Sequence, residues 1–172
     1  MVEPVRKARP STIGIPDDAV TMYVYADVLE EIRFGGQWRK DRFSAGLLIG
    51  HHFQDPDDGS TYVVVEGFVG GTHVSDLSAL TRHLRTEWKV AAASQSEHFP
   101  SGELIGWYAA GVTEEGRRAL YSDQDILLLH HTFFPHAWQN LLWLENTGPG
   151  RAVRVDGDAL RASTAMVIDP NV

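Results

Sequence analysis

The sequence has no cysteine, which excludes disulfides, cysteine nucleophiles and thiolate metal ligands. It also has few basic residues: 15 Lys and Arg stand against 23 Asp and Glu, which leaves a net charge of −8. A general nucleic-acid binder needs a basic face, so this balance argues against that class of protein. No apolar run approaches the roughly 18 residues of a membrane span, and the amino terminus lacks the apolar core of a secretory signal. We therefore expect a cytoplasmic protein that binds neither membrane nor nucleic acid.

Length and composition indicate one ordinary globular domain. The chain has 172 residues, of which 43% are hydrophobic and 22% are charged, enough to bury a sizeable core. Residues 1–19 differ from the rest because prolines and basic residues occur there without a periodic apolar face; these are Pro4, Pro10, Pro16, Arg6, Lys7 and Arg9. Such a segment is typical of a flexible arm, either inert or a basic tether for a partner. Residues 20–172 then form the single folded domain.

Hydrophobic periodicity predicts alternating strands and helices along this domain. The predicted strands are Met22–Tyr25, a run from Phe43 to Gly50, Thr61–Val69, Ile105–Tyr108, Gln139–Leu144, Val153–Val155 and Ala159–Val167. The predicted helices begin at Asp27, Ser75 and Ser122, and the first of them ends near Gly35-Gly36. Polar turns form two hairpins, at Gln54–Gly59 and at Asp156-Gly157, a dipeptide favoured in type I′ turns. This order predicts an α/β fold in which helices cover a sheet.

The most informative stretch is Leu104–His131, where a buried strand leaves the core and a helix returns to it. The strand contains Gly106-Trp107-Tyr108, and the helix follows the pattern Ser122-x-x-Asp125. Together these residues resemble the central motif of the JAMM/MPN domain family. Its zinc-dependent members carry Gly-Trp-Tyr-His-x-His-Pro, a loop, Ser-x-x-Asp, and an upstream Glu in Glu-x-x-Gly-Leu-Leu-x-Gly. The resemblance implies a central mixed β-sheet flanked by helices, the three-layer arrangement of cytidine deaminase.

This sequence departs from the family pattern at the residues that carry the chemistry. In the zinc-dependent members the two His and the Asp bind the metal, and the Glu transfers protons. Here the His positions hold Ala109 and Gly111, and the Glu position holds Phe43, while Ser122 and Asp125 match. Alanine and glycine offer no side-chain donor atom, and a phenyl ring accepts no proton. The resemblance thus implies no metal, no cofactor and no catalytic residue in this chain.

The matching Ser122 and Asp125 also have an explanation without a metal. A Ser at the N-cap with an acid at N3 is close to a capping box, and here it precedes a helical apolar run. The eight histidines lack ligand spacing, since His51-His52 and His130-His131 are adjacent pairs whose side chains point apart. Glu66 could be a stray ligand, but a Glu in a strand is more often solvated or paired across strands. A relocated metal site is the alternative.

We therefore expect a non-catalytic interaction or scaffold domain. Relatives without the metal motif occur in the proteasome lid and in a translation initiation factor. The resemblance implies pairing through helices, as a homodimer or as a heterodimer with another MPN domain. The helices concerned lie near Asp27–Trp38 and Ser75–Ala93, and Trp38 and Trp138 are candidate anchors unless they are simply buried.

Two other functions stay open at this point. One is a metal-dependent isopeptidase or peptidase whose site is rebuilt from unfamiliar ligands. The other is a peptide or small-ligand binder that uses the vacated cleft, which Phe43 and Tyr108 would line.

Overall fold

The computed structural model describes residues 21–35, 43–74, 81–86, 102–110, 123–144 and 150–169. Within these ranges the chain is mixed α/β, and much of it belongs to one β-sheet. The strands are β1 (Thr21–Tyr25), β2 (Phe43–Gln54), β3 (Thr61–Val74), β4 (Glu103–Ala110), β5 (Asn140–Leu144), β6 (Arg151–Asp156), β7 (Ala159–Thr164) and β8 (Met166–Ile168). The helices are α1 (Ala26–Gly35), α2 (residues 81–86) and α3 (Asp123–Phe133). No helix in these ranges is both long and apolar enough to cross a membrane.

The strands form one mixed sheet in the order β7-β6-β5-β4-β2-β3-β1-β8. Strand β2 lies between β3 and β4 and is antiparallel to both. Strands β5 and β1 add in parallel to β4 and β3, respectively. Beyond them, β6 and β7 extend the sheet in antiparallel fashion, and β8 extends it parallel to β1. The mixed α/β class predicted from the sequence is therefore confirmed.

The sheet curls, because the two strands at the ends of that order are consecutive in the chain. Only Ala165 separates β7 from β8. One residue cannot cross a flat sheet of eight strands, whose neighbours lie about 4.8 Å apart. Ala165 is 1% exposed and packs in one hydrophobic cluster with Met22 of β1 and Ala152 of β6. Strands from the two ends of the order thus contribute to the same interior.

Two main hydrophobic clusters lie on the two faces of the sheet. The α1-side cluster includes Met22, Val24, Val28, Leu29, Ile32, Leu48, Val63, Val65, Ile105, Tyr108, Ala110, Leu142 and Leu144. The α3-side cluster comprises Ala45, Leu47, Leu84, Trp107, Ala109, Ile126, Leu129, Phe134, Leu141 and Trp143. Successive residues of a strand enter opposite clusters, as Tyr108 and Ala109 do, because side chains alternate across a sheet. Helix α1 therefore covers one face, while α2 and α3 contribute to the other.

Helix α1 confirms the periodicity that predicted it. Its acidic Asp27 lies in the first turn and its basic Arg33 in the last, where each charge complements the helix dipole. The helix ends at Gly35, as predicted. Its buried apolar side chains are Val28, Leu29 and Ile32.

The predicted hairpin around Gln54–Gly59 is formed by β2 and β3, which run further than the pattern indicated. Asp55 and Asp58 stabilise the turn, since each side chain accepts the backbone N–H two residues on at 2.8 Å. Gly59 has a φ of +73°, a left-handed conformation that glycine adopts without steric cost.

The second hairpin differs from its prediction by one residue. Asp156 still pairs with Ala159, so the two-residue loop is Gly157 and Asp158 rather than Asp156-Gly157. Gly157 has a φ of +60°, and no residue other than glycine has positive φ in the described ranges. Positive φ at the first loop residue alone fits a type II′ turn and not the expected type I′ turn.

The predicted strand Ala159–Val167 is in fact two strands. Its first part pairs with β6, and its second part, from Met166, pairs with β1. Apolar periodicity reports which residues are buried but not which strand they pair with. The change of partner at Ala165 therefore leaves no signal in the pattern.

Candidate functional site

Phe43 and Ala109, two of the positions compared above with the JAMM/MPN motif, lie at one end of the sheet, which we call the motif end. Strand β2 begins there with Phe43, and β4 ends there, with Ala109 opposite Ala45. Asp125 lies in the first turn of α3, and the next residue, Ile126, shares the α3-side cluster with Ala109. Gly111, Ser122 and the side chain of Phe43 lie outside the described part of the chain.

Ala109 is part of the hydrophobic core. It is 1% exposed and belongs to the same cluster as Ala45, Leu84 and Ile126. A methyl group packed among apolar side chains offers nothing to a metal ion or to a reacting carbonyl. At this motif position the structure therefore places apolar packing between the sheet and the helices.

His83 of α2 also lies against the motif end. Its Nε2 donates to the backbone carbonyl of Ala45 at 2.9 Å. In this tautomer the lone pair of the neutral ring lies on the other nitrogen, Nδ1. Within the described ranges, no group of three or more His, Asp or Glu side chains is placed to hold a metal ion. No sequence pattern singles out His83, because its partner is a backbone atom far along the chain.

Tyr108 does not line an open cleft. Its side chain is completely buried in the α1-side cluster, on the face opposite Ala109. The ring lies beside Gly46, where a Cβ atom would come within 2.8 Å of the Tyr108 hydroxyl oxygen. The Phe68 ring packs against it edge-on, with ring centroids 5.7 Å apart. The expectation that Tyr108 would line a vacated cleft is wrong, because the ring occupies the space over Gly46.

A buried histidine lies between β4 and α3. The indole N–H of Trp107 donates to Nδ1 of His130 at 3.2 Å, and His130 is only 3% exposed. Burial lowers the pKa of His130 from 6.5 to about 4; nearby His131 adds to the effect, and a hydrogen bond to the Gln139 backbone opposes it. His130 is thus a neutral structural residue. Its neighbour His131 is exposed and points elsewhere, as predicted, with Nε2 at 3.2 Å from the carbonyl of Gly157.

The opposite end of the sheet, beside the β2–β3 hairpin, carries two imidazole–carboxylate pairs. Nδ1 of His51 lies 2.7 Å from Oε1 of Glu66 on β3, and Nδ1 of His52 lies 2.7 Å from Oε2 of Glu103 on β4. The adjacent histidines therefore use different strands, which is why they do not chelate together. The prediction that Glu66 pairs across strands is confirmed.

The hydrogen bonds from His52 control the titration of Glu103. Partial burial by itself would raise the pKa of this carboxyl group. The backbone N–H of His52 and its ring both bind the carboxylate, and the charges of His52 and His51 act in the same direction. These effects together outweigh burial, so the pKa of Glu103 is lowered.

Trp138, singled out in the sequence as a candidate anchor, stacks on two imidazole rings. Its ring lies parallel to that of His52, with centroids 4.2 Å apart, and to that of His136, with centroids 5.0 Å apart. It is partly buried and also packs against the α1-side cluster. Trp138 thus ties the segment before β5 to β2. The other candidate anchor, Trp38, lies outside the described residues, as do the flanking parts of the helix predicted at Ser75–Ala93.

Comparisons with known proteins report a fold but no family. No protein-family model matches the chain, and no curated protein matches it. A solution structure of protein DSY2949 from Desulfitobacterium hafniense is similar, with a TM-score of 0.52 and 12% sequence identity. The match covers 87% of this chain and 94% of that one. At this level of identity the likeness shows a shared fold over most of both chains.

Proposed function

We propose that this chain is a non-catalytic, MPN-like domain that acts by binding a second protein subunit. The observation that carries the proposal is the packing of Ala109, whose methyl group lies in the α3-side cluster where the family pattern places a metal-binding His. Relocation of a metal site to His83 has no support, because no group of three or more His, Asp or Glu side chains in the described ranges is placed to hold a metal ion. The motif end is thus better suited to holding the fold together than to catalysis.

The arrangement of layers supports the MPN-like part of this proposal. Helix α1 packs on one face of a mixed sheet, and residues of α2 and α3 pack on the other. The motif strand β4 lies inside the sheet between β2 and β5, with α3 directly after it among the described elements. Helices on both faces of a mixed sheet support the three-layer order that the resemblance implies. The absence of cysteine supports a cytoplasmic location.

The exposed faces of the helices support pairing through them. On α1 the exposed residues include Glu30 and Glu31, and on α2 they include Arg82 and Arg85. Opposite charges on two surfaces steer association and fix orientation. Because α1 and α2 lie on opposite faces of the sheet, a contact between α1 of one subunit and α2 of its partner is not two-fold symmetric, and further copies add head to tail. We propose another MPN-like domain as the partner, either a second copy or a different subunit.

Light scattering of the purified chain tests this pairing. A stable interface requires roughly 800 Å² from each partner, so self-association into dimers or larger head-to-tail assemblies should persist at micromolar concentration. The double variant E30K/E31K should dissociate it, and so should R82E/R85E, while the four substitutions together should restore it. The control D57K/D158K changes net charge as E30K/E31K does, but in exposed turns, and should leave the self-association intact.

A heterodimer gives a different outcome in the same design. The chain alone would be monomeric, and coexpression with an MPN-like subunit would recover that subunit in a complex. The variant E30K/E31K should abolish its capture, and D57K/D158K should not. A monomer that captures no such subunit would contradict the proposal. Stoichiometric zinc bound beside Asp125, with peptidase activity lost on chelation, would instead support the enzyme alternative.

A further inference from the structure

A third hydrophobic cluster consists of strand residues alone. Its buried members are Tyr23, Val64 and Ile168, and its partly buried members are Tyr25, Phe53, Tyr62 and Met166. These residues come from four neighbouring strands, β2, β3, β1 and β8. No residue of α1, α2 or α3 belongs to the cluster. We call its partly buried members the aromatic patch.

The rings of the aromatic patch hold one another in fixed orientations. Phe53 and Tyr62 stack, with centroids 5.2 Å apart and an interplanar angle of 21°. The Tyr23 ring packs edge-on against the Tyr62 ring, with centroids 6.0 Å apart. Pre-oriented aromatic rings of this kind form the grooves that proline-rich segments bind, because the extended polyproline helix loses little entropy on docking.

Acidic residues border the aromatic patch. Burial raises the pKa of Tyr25, and the nearby carboxylates of Glu66 and Asp27 raise it further. At the other end of the patch, the turn between Phe53 and Tyr62 carries three aspartates, Asp55, Asp57 and Asp58. The acidic border favours a basic ligand, and the aromatic rings favour a ligand that contains proline.

The amino-terminal residues of this chain have that composition. Residues 4–16 contain three prolines, two arginines and one lysine, and they contain no acidic residue. The chain enters the described fold at Thr21, which pairs with Tyr62 of the patch. Residues 17–20 are a short connection, and an extended polyproline segment covers about 3.1 Å per residue. Attachment beside the patch gives residues 4–16 an effective concentration on the order of millimolar.

We propose that the aromatic patch is a binding site for proline-rich basic peptide, and that its occupant in this protein is residues 4–16 of the same chain. The prolines stack on Phe53 and Tyr62, and the basic side chains face the acidic border. Asp27 at the border belongs to α1, but the aromatic patch contains no residue of α1 or α2. The variants that test it leave the helix residues used to test pairing unchanged, so the two proposals can fail separately.

A nitroxide label tests the proposal in the full-length chain. The protein has no cysteine, so the variant S11C carries the only thiol and can be labelled at that residue alone. In isotope-enriched labelled protein we expect paramagnetic broadening of the amide signals of Phe53 and Tyr62, but not of Leu128 on α3. A second sample mixes labelled, unenriched chains with unlabelled, enriched chains. Comparable broadening in this mixture would mean contact between molecules and would overturn docking within one chain.

Substitutions in residues 4–16 and in the aromatic patch test the contact separately. In the arm, R6Q/K7Q/R9Q should reduce the broadening at Tyr62 by at least about two-fold at low salt, because charge steering is lost. In the patch, F53A should reduce it as well, and the matched control L128A should not. Because the arm variant alters no residue of the described fold, it remains informative if F53A unfolds. Equal broadening in all variants, or none in the parent protein, would overturn the proposal.

Discussion

Trp107 donates its indole N–H to Nδ1 of His130 at 3.2 Å, so strand β4 and helix α3 are joined by a hydrogen bond inside the core. Because Nδ1 accepts this bond, the proton of the neutral ring lies on Nε2. The backbone of Gln139 takes part in the second hydrogen bond of His130. One neutral imidazole thus connects the motif strand, the following helix and the start of β5.

The first prediction is that His130 makes stability depend on pH. Its folded pKa of about 4 lies below the ordinary 6.5, so the unfolded chain binds more protons between these values. Stability contributed by the neutral ring is present above pH 6.5 and is lost as pH falls toward 4. Linkage gives a loss on the order of 3 kcal/mol over this window. Urea unfolding at a series of pH values measures it.

Two variants separate this effect from general acid unfolding. H130Q removes the titrating ring from the core, so its free energy of unfolding should change less between pH 7 and pH 4 than that of the parent protein. H131Q removes an exposed ring on the same helix whose charge adds to the lowering of the His130 pKa, so it should reduce the pH dependence only slightly. A parallel pH dependence in H130Q and the parent protein would show that His130 is not its source.

The second prediction concerns Glu103, whose carboxyl group binds the backbone N–H and the ring of His52. Its folded pKa is lowered, so the stability that it contributes is present above its unfolded pKa and is lost as pH falls through the folded pKa. Carbon-13 titration should find this carboxyl below the ordinary range and closer to it in H52A. The companion variant H51A should change it less, since only the charge of His51 acts on Glu103.

The sequence predicted the elements better than it predicted their contacts. Helix α1, the β2–β3 hairpin and β5 follow from short-range periodicity and turn residues. Helix α1 and β5 lie close to their predicted bounds, whereas β2 and β3 run further than predicted. The hydrogen bond of His83 to Ala45 and the stacking of His52 on Trp138 join residues far apart in the chain. Such contacts depend on strand order and register, which a local pattern does not contain.

The third prediction is that Ser122 caps α3. The helix begins at Asp123, the residue after Ser122, which is where a capping hydroxyl would accept a backbone N–H from the first turn. S122A should destabilise the protein by roughly 0.5–2 kcal/mol. Q124A, at an exposed position of the same turn, is the control. Equal denaturation midpoints for S122A and the parent protein would contradict capping.

The fourth prediction compares two neighbouring residues of β2. A Cβ at Gly46 would meet the Val69 carbonyl oxygen and the buried Tyr108 hydroxyl, so G46A should cost about 1–3 kcal/mol through overpacking. Substitution of Ser44 should have the opposite effect on stability. Its hydroxyl is buried without a hydrogen-bond partner among the residues that the structure describes, so S44A should be neutral or stabilising. Thermal unfolding of G46A and S44A measures whether each substitution lowers or raises stability. Destabilisation by S44A would reveal a hydrogen-bond partner for this hydroxyl.

The last prediction is that a histidine cannot simply be returned to position 109. The methyl group of Ala109 is 1% exposed and packs with Ala45, Leu84 and Ile126, so an imidazole there overfills the core and buries a polar ring. A109H should lose about 1–3 kcal/mol or more of stability, whereas A109S adds one oxygen atom and should lose less. Zinc should not restore the loss, because a single added ligand falls short of the three or four that zinc requires. Urea unfolding with and without zinc measures both effects. Full stability of A109H, or strong stabilisation by zinc, would show that a metal-binding cavity survives at the motif end and would favour the enzyme alternative over a partner-binding domain.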